Sequence, residues 1–231
     1  MDTPTQYDES GYNWLAQQDT NILPISSRPA FISWWDYGFQ ALDQGQHPTV
    51  ADNFQDGIDP SGNFLLAQNE SAAIGVMAAD LLYAEAQTTG KPYLPAALNA
   101  QLASDDVNLT LLHAYLANQT ADVRIVLGNP NLYGPFNPAT INPLSAMYNV
   151  VSIFLASSLS ENQVVKVYQD VQAYTGWSIR YAMSNSLLFP SSGSNTGIFY
   201  APADLTGRVI SSGGIPTGFF QVTVVGTDGN T

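Results

Sequence analysis

The sequence predicts a mixed α/β fold, with a helix-rich core and a small β-sheet. The middle of the chain carries several segments whose apolar residues recur at helical spacing, while short apolar runs bounded by turn residues lie near both ends. These helices and strands do not alternate regularly, so a mixed α/β domain is expected. With 231 residues the chain is long enough to bury a core, and no apolar run reaches the roughly 18 residues of a membrane helix.

The first third of the chain is predicted to hold one short helix, one short strand and a long loop. We expect a leader over 1–8, a helix over 9–18 and a strand over 29–33. A loop is expected over 44–69, with an extended piece at 49–51. The strand delivers the chain directly into an aromatic motif at 34–38.

The middle third is predicted to be helical. Ile74, Met77, Ala78, Leu81 and Leu82 form one face of a helix over 71–86. The further predictions are a helix capped by Ser104 with its face from Val107 to Leu116, a strand over 123–127, a helix that starts at Asn142-Pro143, and a helix from Ser160 that Gly176 closes.

The last third is predicted to turn to strands, over 177–183, 197–200 and 218–225, with a frayed tail over 226–231. The sequence therefore predicts one globular domain over 9–225.

The charge balance excludes two classes of partner. The net charge is −13 because Lys and Arg together number only 6, against 19 Asp and Glu. Nucleic acid and a polybasic membrane anchor both require clustered basic residues, so neither is expected. The scarcity of bases suits a protein exposed to low pH, and it equally suits a protein that has few ion pairs.

Trp34-Trp35-Asp36-Tyr37-Gly38 is the most informative motif. An ionised Asp only accepts hydrogen bonds, and an indole N–H only donates them. Asp36 together with Trp34 or Trp35 would hold a ligand hydroxyl completely, and Tyr37 and Gly38 would shape the turn and let the backbone of a peptide approach closely. The alternative is a Trp–Trp core pair with Asp36 as a helix cap.

The motif resembles the signature of the catalytic subunit of oligosaccharyltransferase, in its archaeal, AglB-type form. The flanking segments 31–33, 39–40, 49–53 and 197–202 fit the soluble C-terminal region of that family, and the resemblance covers most of residues 8–210.

The resemblance implies a function in protein N-glycosylation. The family transfers an oligosaccharide from a lipid carrier to the Asn of an Asn-x-Ser/Thr sequon, and its Trp-Trp-Asp binds the Ser/Thr hydroxyl. On this basis we expect an extracellular, monomeric acceptor-recognition domain that is tethered to a multi-pass membrane half. The lipid-linked oligosaccharide, the catalytic residues and a divalent metal (Mn or Mg) would belong to that half, so we expect no cofactor and no activity in this chain alone.

The family also carries a second sequon-contacting motif, and the nearest match lies at 185–189. Asn185 and Leu188 stand at its two key positions, although neither residue type is the usual one. The alternative is a strand end that runs into a turn at Pro190.

A second function class remains open on sequence alone, which is a noncatalytic cell-surface carbohydrate-binding module. Such modules are normally all-β, and the long helical faces argue against that class. His47 and His113 are too far apart in sequence to suggest a metal pair, and the Asp residues at 52, 56 and 59 lack the spacing of a calcium loop. Asn69, Asn108 and Asn118 begin sequons of their own and are candidate glycan acceptors.

Overall fold

The computed structural model describes residues 6–54, 56–67, 69–89, 94–117 and 143–183. The chain divides into two compact units, the first formed by Met1–Asn69 with Trp177–Thr231 and the second by Glu70–Gly176. The fold is mixed α/β, with helices dominant and a small parallel sheet, which confirms the predicted fold class. The division into a leader, a domain over 9–225 and a tail stays a prediction.

The first unit contains three helices, two strands and two turns of 3-10 helix within its described residues. In chain order these are α1 (Gln6–Leu15), a 3-10 turn (Ile25–Ser27), β1 (Ala30–Ile32), a 3-10 turn (Trp35–Tyr37), α2 (Gly38–Asp43), α3 (Ile58–Leu66) and β2 (Ile179–Ala182). The predicted helix over 9–18 is thus present but begins earlier, at Gln6.

β1 and β2 form a two-stranded parallel sheet in which Phe31 lies opposite Tyr181. Thr49 adds an isolated parallel bridge to Phe31, and the N–H of Val50 donates to the carbonyl of Phe31 at 2.8 Å. The predicted strands at 29–33 and 177–183 and the extended piece at 49–51 are therefore confirmed. They meet around β1, immediately before the aromatic motif.

A small apolar core holds the first unit together. Tyr12, Leu15, Phe31 and Ala41 are buried in one cluster, and Tyr37 packs against it. Since these residues come from α1, β1 and α2, the cluster fixes both sides of the motif.

The prediction of a loop throughout 44–69 is wrong, because α3 occupies Ile58–Leu66. Gly57, at φ 68, precedes the helix, and Pro60 lies in its first turn, where a missing N–H costs nothing. Phe64 and Leu65 are buried and supply the packing that stabilises the helix. The density of Gly, Pro, Asp and Asn around it hid this short apolar face.

The second unit is helical throughout its described residues. Its helices are α4 (Glu70–Thr89), α5 (Ala96–Ser104), α6 (Leu109–Leu116), α7 (Pro143–Ser158) and α8 (Glu161–Thr175). α4 packs against both α7 and α8. Gly75 lets α4 approach α7 closely, because a Cβ at this position would lie only 2.9 Å from the carbonyl oxygen of Ser152. Among the described helices, none combines the length and the apolar character that crossing a membrane requires.

The helices predicted over 71–86, from Pro143 and from Ser160 are confirmed. α8 begins after Ser160, whose N–H donates to Oε1 of Gln163 at 2.9 Å, and it ends at Gly176 with φ 72. Both ends follow the usual preferences for capping residues.

The helix predicted to start at Ser104 is wrong in its start. Ser104 ends α5 instead, and its hydroxyl donates back to the carbonyl of Gln101 at 2.6 Å. Asp106 then reverses the chain at φ 65, and Asn108 caps α6 by accepting from the N–H of Leu111 at 3.2 Å. α5 itself was not predicted. The strands predicted at 123–127, 197–200 and 218–225 lie outside the described residues.

Candidate functional site

The aromatic motif lies on a short turn between β1 and α2. Trp35–Tyr37 form the 3-10 turn, and Gly38 begins α2. The end of β1 is fixed because the hydroxyl of Ser33, which is buried, donates to the carbonyl of Met183 at 2.9 Å. The motif is therefore held from the sheet on one side and from α2 on the other.

Trp34 and Trp35 are brought together by this turn. Their ring centroids lie 6.2 Å apart, with the planes at 51°. Both residues are half-buried, and the ring of Trp34 lies over α3, since a Cβ on Gly62 would be 3.9 Å from its Cζ3 atom. Because each ring keeps an accessible part, the pair is not a fully buried core pair.

Asp36 is exposed, and its side chain caps neither helix. The N-cap positions of the 3-10 turn and of α2 are Trp34 and Tyr37, so the helix-cap alternative for Asp36 is wrong. Within the part of the chain that the structure describes, no side-chain or backbone donor reaches the Asp36 carboxylate, and no acceptor reaches the indole N–H of Trp35. Both groups keep hydrogen-bonding capacity for a ligand.

Gly38 is buried and allows a close backbone approach. A Cβ at this position would lie 2.1 Å from the carbonyl oxygen of Ala51 and 2.7 Å from the Cα of Asp52. The backbone that approaches Gly38 is thus the chain's own 51–52 segment, not a bound peptide. This contact fastens the 49–53 segment to the start of α2.

Next to the motif, an exposed aromatic pair and one amide complete the described surroundings. Phe39 and Phe54 form an edge-to-face pair with centroids 5.2 Å apart, and Phe54 is 77% exposed. The side chain of Asn53 bonds to the backbone at both Asp36 and Phe39. Sequence reasoning missed Asn53, and its position within a segment that resembles the family was the only available signal. Asn185 and Leu188, the predicted second motif, lie outside the described residues.

The histidines have structural partners. His47 is fully buried, with Nδ1 2.9 Å from the carbonyl oxygen of Pro29 and its ring edge-to-face against Tyr181. His113 lies half-buried on α6, with Nε2 2.8 Å from Oδ1 of Asn99. A search of the described residues finds no group of three or more potential ligands that could hold a metal ion.

Three carboxyl groups of the second unit have shifted pKa values. Burial raises the pKa of Asp80, on α4, to about 7. Burial also raises the pKa of Asp105, whose side chain is inaccessible and which accepts from Nζ of Lys166. For Asp170, partial burial is outweighed by hydrogen bonds from Lys166, at 2.6 Å, and from Gln101, so its pKa is lowered.

Comparison with known proteins gives one relevant similarity. Over 69 residues the chain is 33% identical to dolichyl-phosphooligosaccharide-protein glycotransferase 2 of Archaeoglobus fulgidus. The aligned part is 28% of this chain and only 12% of that relative. No family model matches the chain, and no solved structure matches it. The similarity supports a relation to an archaeal oligosaccharyltransferase subunit.

Proposed function

We propose that this chain recognises the Ser or Thr hydroxyl of Asn-x-Ser/Thr acceptors for an archaeal-type oligosaccharyltransferase. The observation that carries the proposal is the position of the Asp36 carboxylate. It is exposed on the same turn as the Trp34–Trp35 ring pair, and none of the described residues donates a hydrogen bond to it. The partial similarity to an archaeal glycotransferase supports the same assignment.

The chemistry follows from the donor and acceptor inventory of the turn. The acceptor hydroxyl would donate its proton to the Asp36 carboxylate, and its oxygen would accept from an indole N–H such as that of Trp35. The apolar faces of the rings would cover the methyl group of Thr and exclude water, which strengthens both bonds. A ligand without the hydroxyl would leave a desolvated carboxylate without a partner, and this penalty would provide the specificity.

The remaining parts of the proposed reaction would be supplied by a membrane-embedded half. In this proposal the chain acts on the extracellular face as a monomer, and the lipid-linked oligosaccharide, the catalytic residues and the divalent metal lie in that half. The chain alone would bind acceptor weakly and transfer nothing, since one small pocket must offset the ordering of a peptide. The carbohydrate-binding alternative is not favoured, because the helix-rich fold differs from the all-β modules typical of that class.

Peptide binding to the 231-residue chain tests the proposal. Two short peptides are compared, one with Asn-x-Thr and one with Asn-x-Val, because Val replaces the hydroxyl by a methyl group of similar shape. We expect the Thr peptide to bind better, and Asp36→Asn to weaken its binding by about tenfold or more, as for a hydrogen bond to a charged group.

Asp43→Asn is the matched control, because it removes one exposed carboxylate from the far end of α2. Its Kd for the Thr peptide should equal that of the unmodified chain. Equal binding of the Thr and Val peptides to the unmodified chain would refute the proposal.

A further inference from the structure

The side chain of Asn53 bonds to two backbone groups, one before and one after the junction of the 3-10 turn with α2 at Tyr37 and Gly38. Its Nδ2 donates to the carbonyl of Asp36 at 3.1 Å, and its Oδ1 accepts from the N–H of Phe39 at 3.1 Å. A carboxamide side chain carries a donor and an acceptor on one planar group, and Asn53 uses both. A single side chain thus spans the exit from the Trp-Trp-Asp turn.

The start of α2 needs this partner. The first N–H groups of a helix have no intrahelical acceptor, and a side chain at the N-cap usually supplies one. Tyr37 occupies the N-cap position of α2 and makes no such bond. Asn53 supplies the acceptor from 14 residues further along the chain and therefore caps α2 in place of Tyr37.

Asn53 is itself held in place by a tightly packed loop. The N–H of Phe54 donates to Oδ1 of Asp52 at 2.8 Å, and the N–H of Asp52 donates to the carbonyl of Asp56 at 3.1 Å. Gly57 closes the loop at φ 68, where a Cβ would lie 1.7 Å from the carbonyl oxygen of Val50. Together with the contact at Gly38, these interactions pack residues 50–54 against Gly57 and against the start of α2.

We propose that Asn53 is a positioning residue for hydroxyl recognition, and this inference rests on the proposed function above. Its bond to the Asp36 carbonyl fixes the peptide unit that carries the carboxylate, and so sets where the carboxylate stands relative to the two rings. A hydroxyl that must meet an acceptor and a donor at once depends on this placement, because hydrogen bonds weaken steeply with misalignment.

The substitutions separate the two bonds of Asn53. Asn53→Ala removes both bonds, whereas Asn53→Asp retains an acceptor for the Phe39 N–H but, when ionised, has no donor for the Asp36 carbonyl. The control is Gln18→Ala, which removes a similar amide-to-carbonyl bond in the same unit, from Nε2 of Gln18 to the carbonyl of Trp14 at 3.0 Å. All Kd values are measured at neutral pH, well below the melting temperature of each variant.

The readout is the ratio of the Kd values for the Asn-x-Val and Asn-x-Thr peptides, which a merely structural role would not change. We expect both Asn53 variants to lower this preference by about fivefold or more, as for the loss of one hydrogen bond, and Gln18→Ala to leave it unchanged. Three results would overturn the inference: an unchanged preference in either Asn53 variant, an equal loss in Gln18→Ala, or no preference in the unmodified chain. Only the last of these also refutes the proposed function, so the two failures are distinguishable.

Discussion

Asp36 in the first unit and the pair of Asp80 and Asp105 in the second lie in opposite environments. In the first, Asp36 stands exposed on a turn, and no described donor reaches it. In the second, Asp105 is inaccessible and paired with Lys166, and Asp80 has a pKa raised by burial. A carboxylate that is buried or ion-paired inside a helical unit contributes to the energetics of folding, whereas one exposed on a turn is available to a ligand. We therefore expect substitution of Asp80 or of Lys166, the partner of Asp105, to change stability, and substitution of Asp36 to change binding alone.

The largest expected effect is that of Asp80→Asn on the pH dependence of stability. Burial raises the pKa of Asp80 from 3.8 to about 7, so between these values the folded chain binds more protons than the unfolded chain. The contribution of Asp80 is thus fully present below its unfolded pKa and is lost as the pH rises through about 7. Asn mimics the protonated form, and Asp80→Asn should be more stable than the unmodified chain above pH 7, by an amount on the order of 1 kcal/mol or more.

Urea unfolding between pH 4 and pH 8 measures this difference. Glu85→Gln, which removes one charge from the same helix, controls for charge alone and should change stability by less than about 0.5 kcal/mol. If Asp80→Asn instead lowers stability equally at every pH in this range, burial of a charged Asp80 does not cause the pH dependence of stability. If the unmodified chain becomes more stable towards pH 4, this result would also favour the interpretation that Lys and Arg are scarce because the protein is exposed to low pH.

A smaller effect is expected from Lys166→Met. Without the ammonium group, Asp105 stays buried with no cation beside it, so the free energy of unfolding should fall at neutral pH. The loss should shrink as the pH falls, because Asp105 then takes up a proton. Thermal unfolding of the variant and the unmodified chain at pH 5 and pH 8 measures the loss of stability and its dependence on pH.

Arg180→Met is the matched control for Lys166→Met. Arg180 and Lys166 are about equally exposed, at 50% and 51%, but the partner of Arg180, Asp19, keeps 14% of its side-chain surface while Asp105 keeps none. The Arg180 pair should therefore matter less. Equal destabilisation by the two substitutions would contradict the role assigned to the buried partner.

The smallest effect on stability is expected for Asp36→Asn, because an exposed carboxylate without a described partner contributes little to folding. The free energy of unfolding should change by less than about 0.5 kcal/mol, while binding of the Thr peptide weakens by about tenfold or more. A large loss of stability would show that Asp36 has a structural role, and the contrast between the two units would disappear.

Local signals in the sequence predicted much of the fold. Ser160 and Gly176 marked both ends of α8, and the apolar spacing from Ile74 to Leu82 predicted α4. Ser104 misled the prediction because a hydroxyl beside two Asp residues reads as an N-cap, whereas in the fold Asp105 turns inward to meet Lys166 on α8, 61 residues away. Such a long-range partner leaves no trace in local spacing.

The candidate site was predictable in its residue types but not in its support. The chemistry of Trp34, Trp35 and Asp36 can be derived from their side chains. A close backbone approach at Gly38 was expected too, but for a peptide and not for the chain's own residues 51–52. The two hydrogen bonds from the Asn53 side chain to the backbone of Asp36 and Phe39 could not be foreseen, because they depend on how residues 51–53 pack against the start of α2.

The most direct test of the central claim is an NMR titration that follows the four indole N–H signals of the chain. Trp34 and Trp35 report on the proposed pocket, while Trp14 and Trp177 serve as internal controls. We predict that the Asn-x-Thr peptide shifts a signal of Trp34 or Trp35, that the Asn-x-Val peptide does so much less, and that the two controls stay in place. Identical shifts with both peptides, or shifts confined to Trp14 and Trp177, would contradict hydroxyl recognition by this turn.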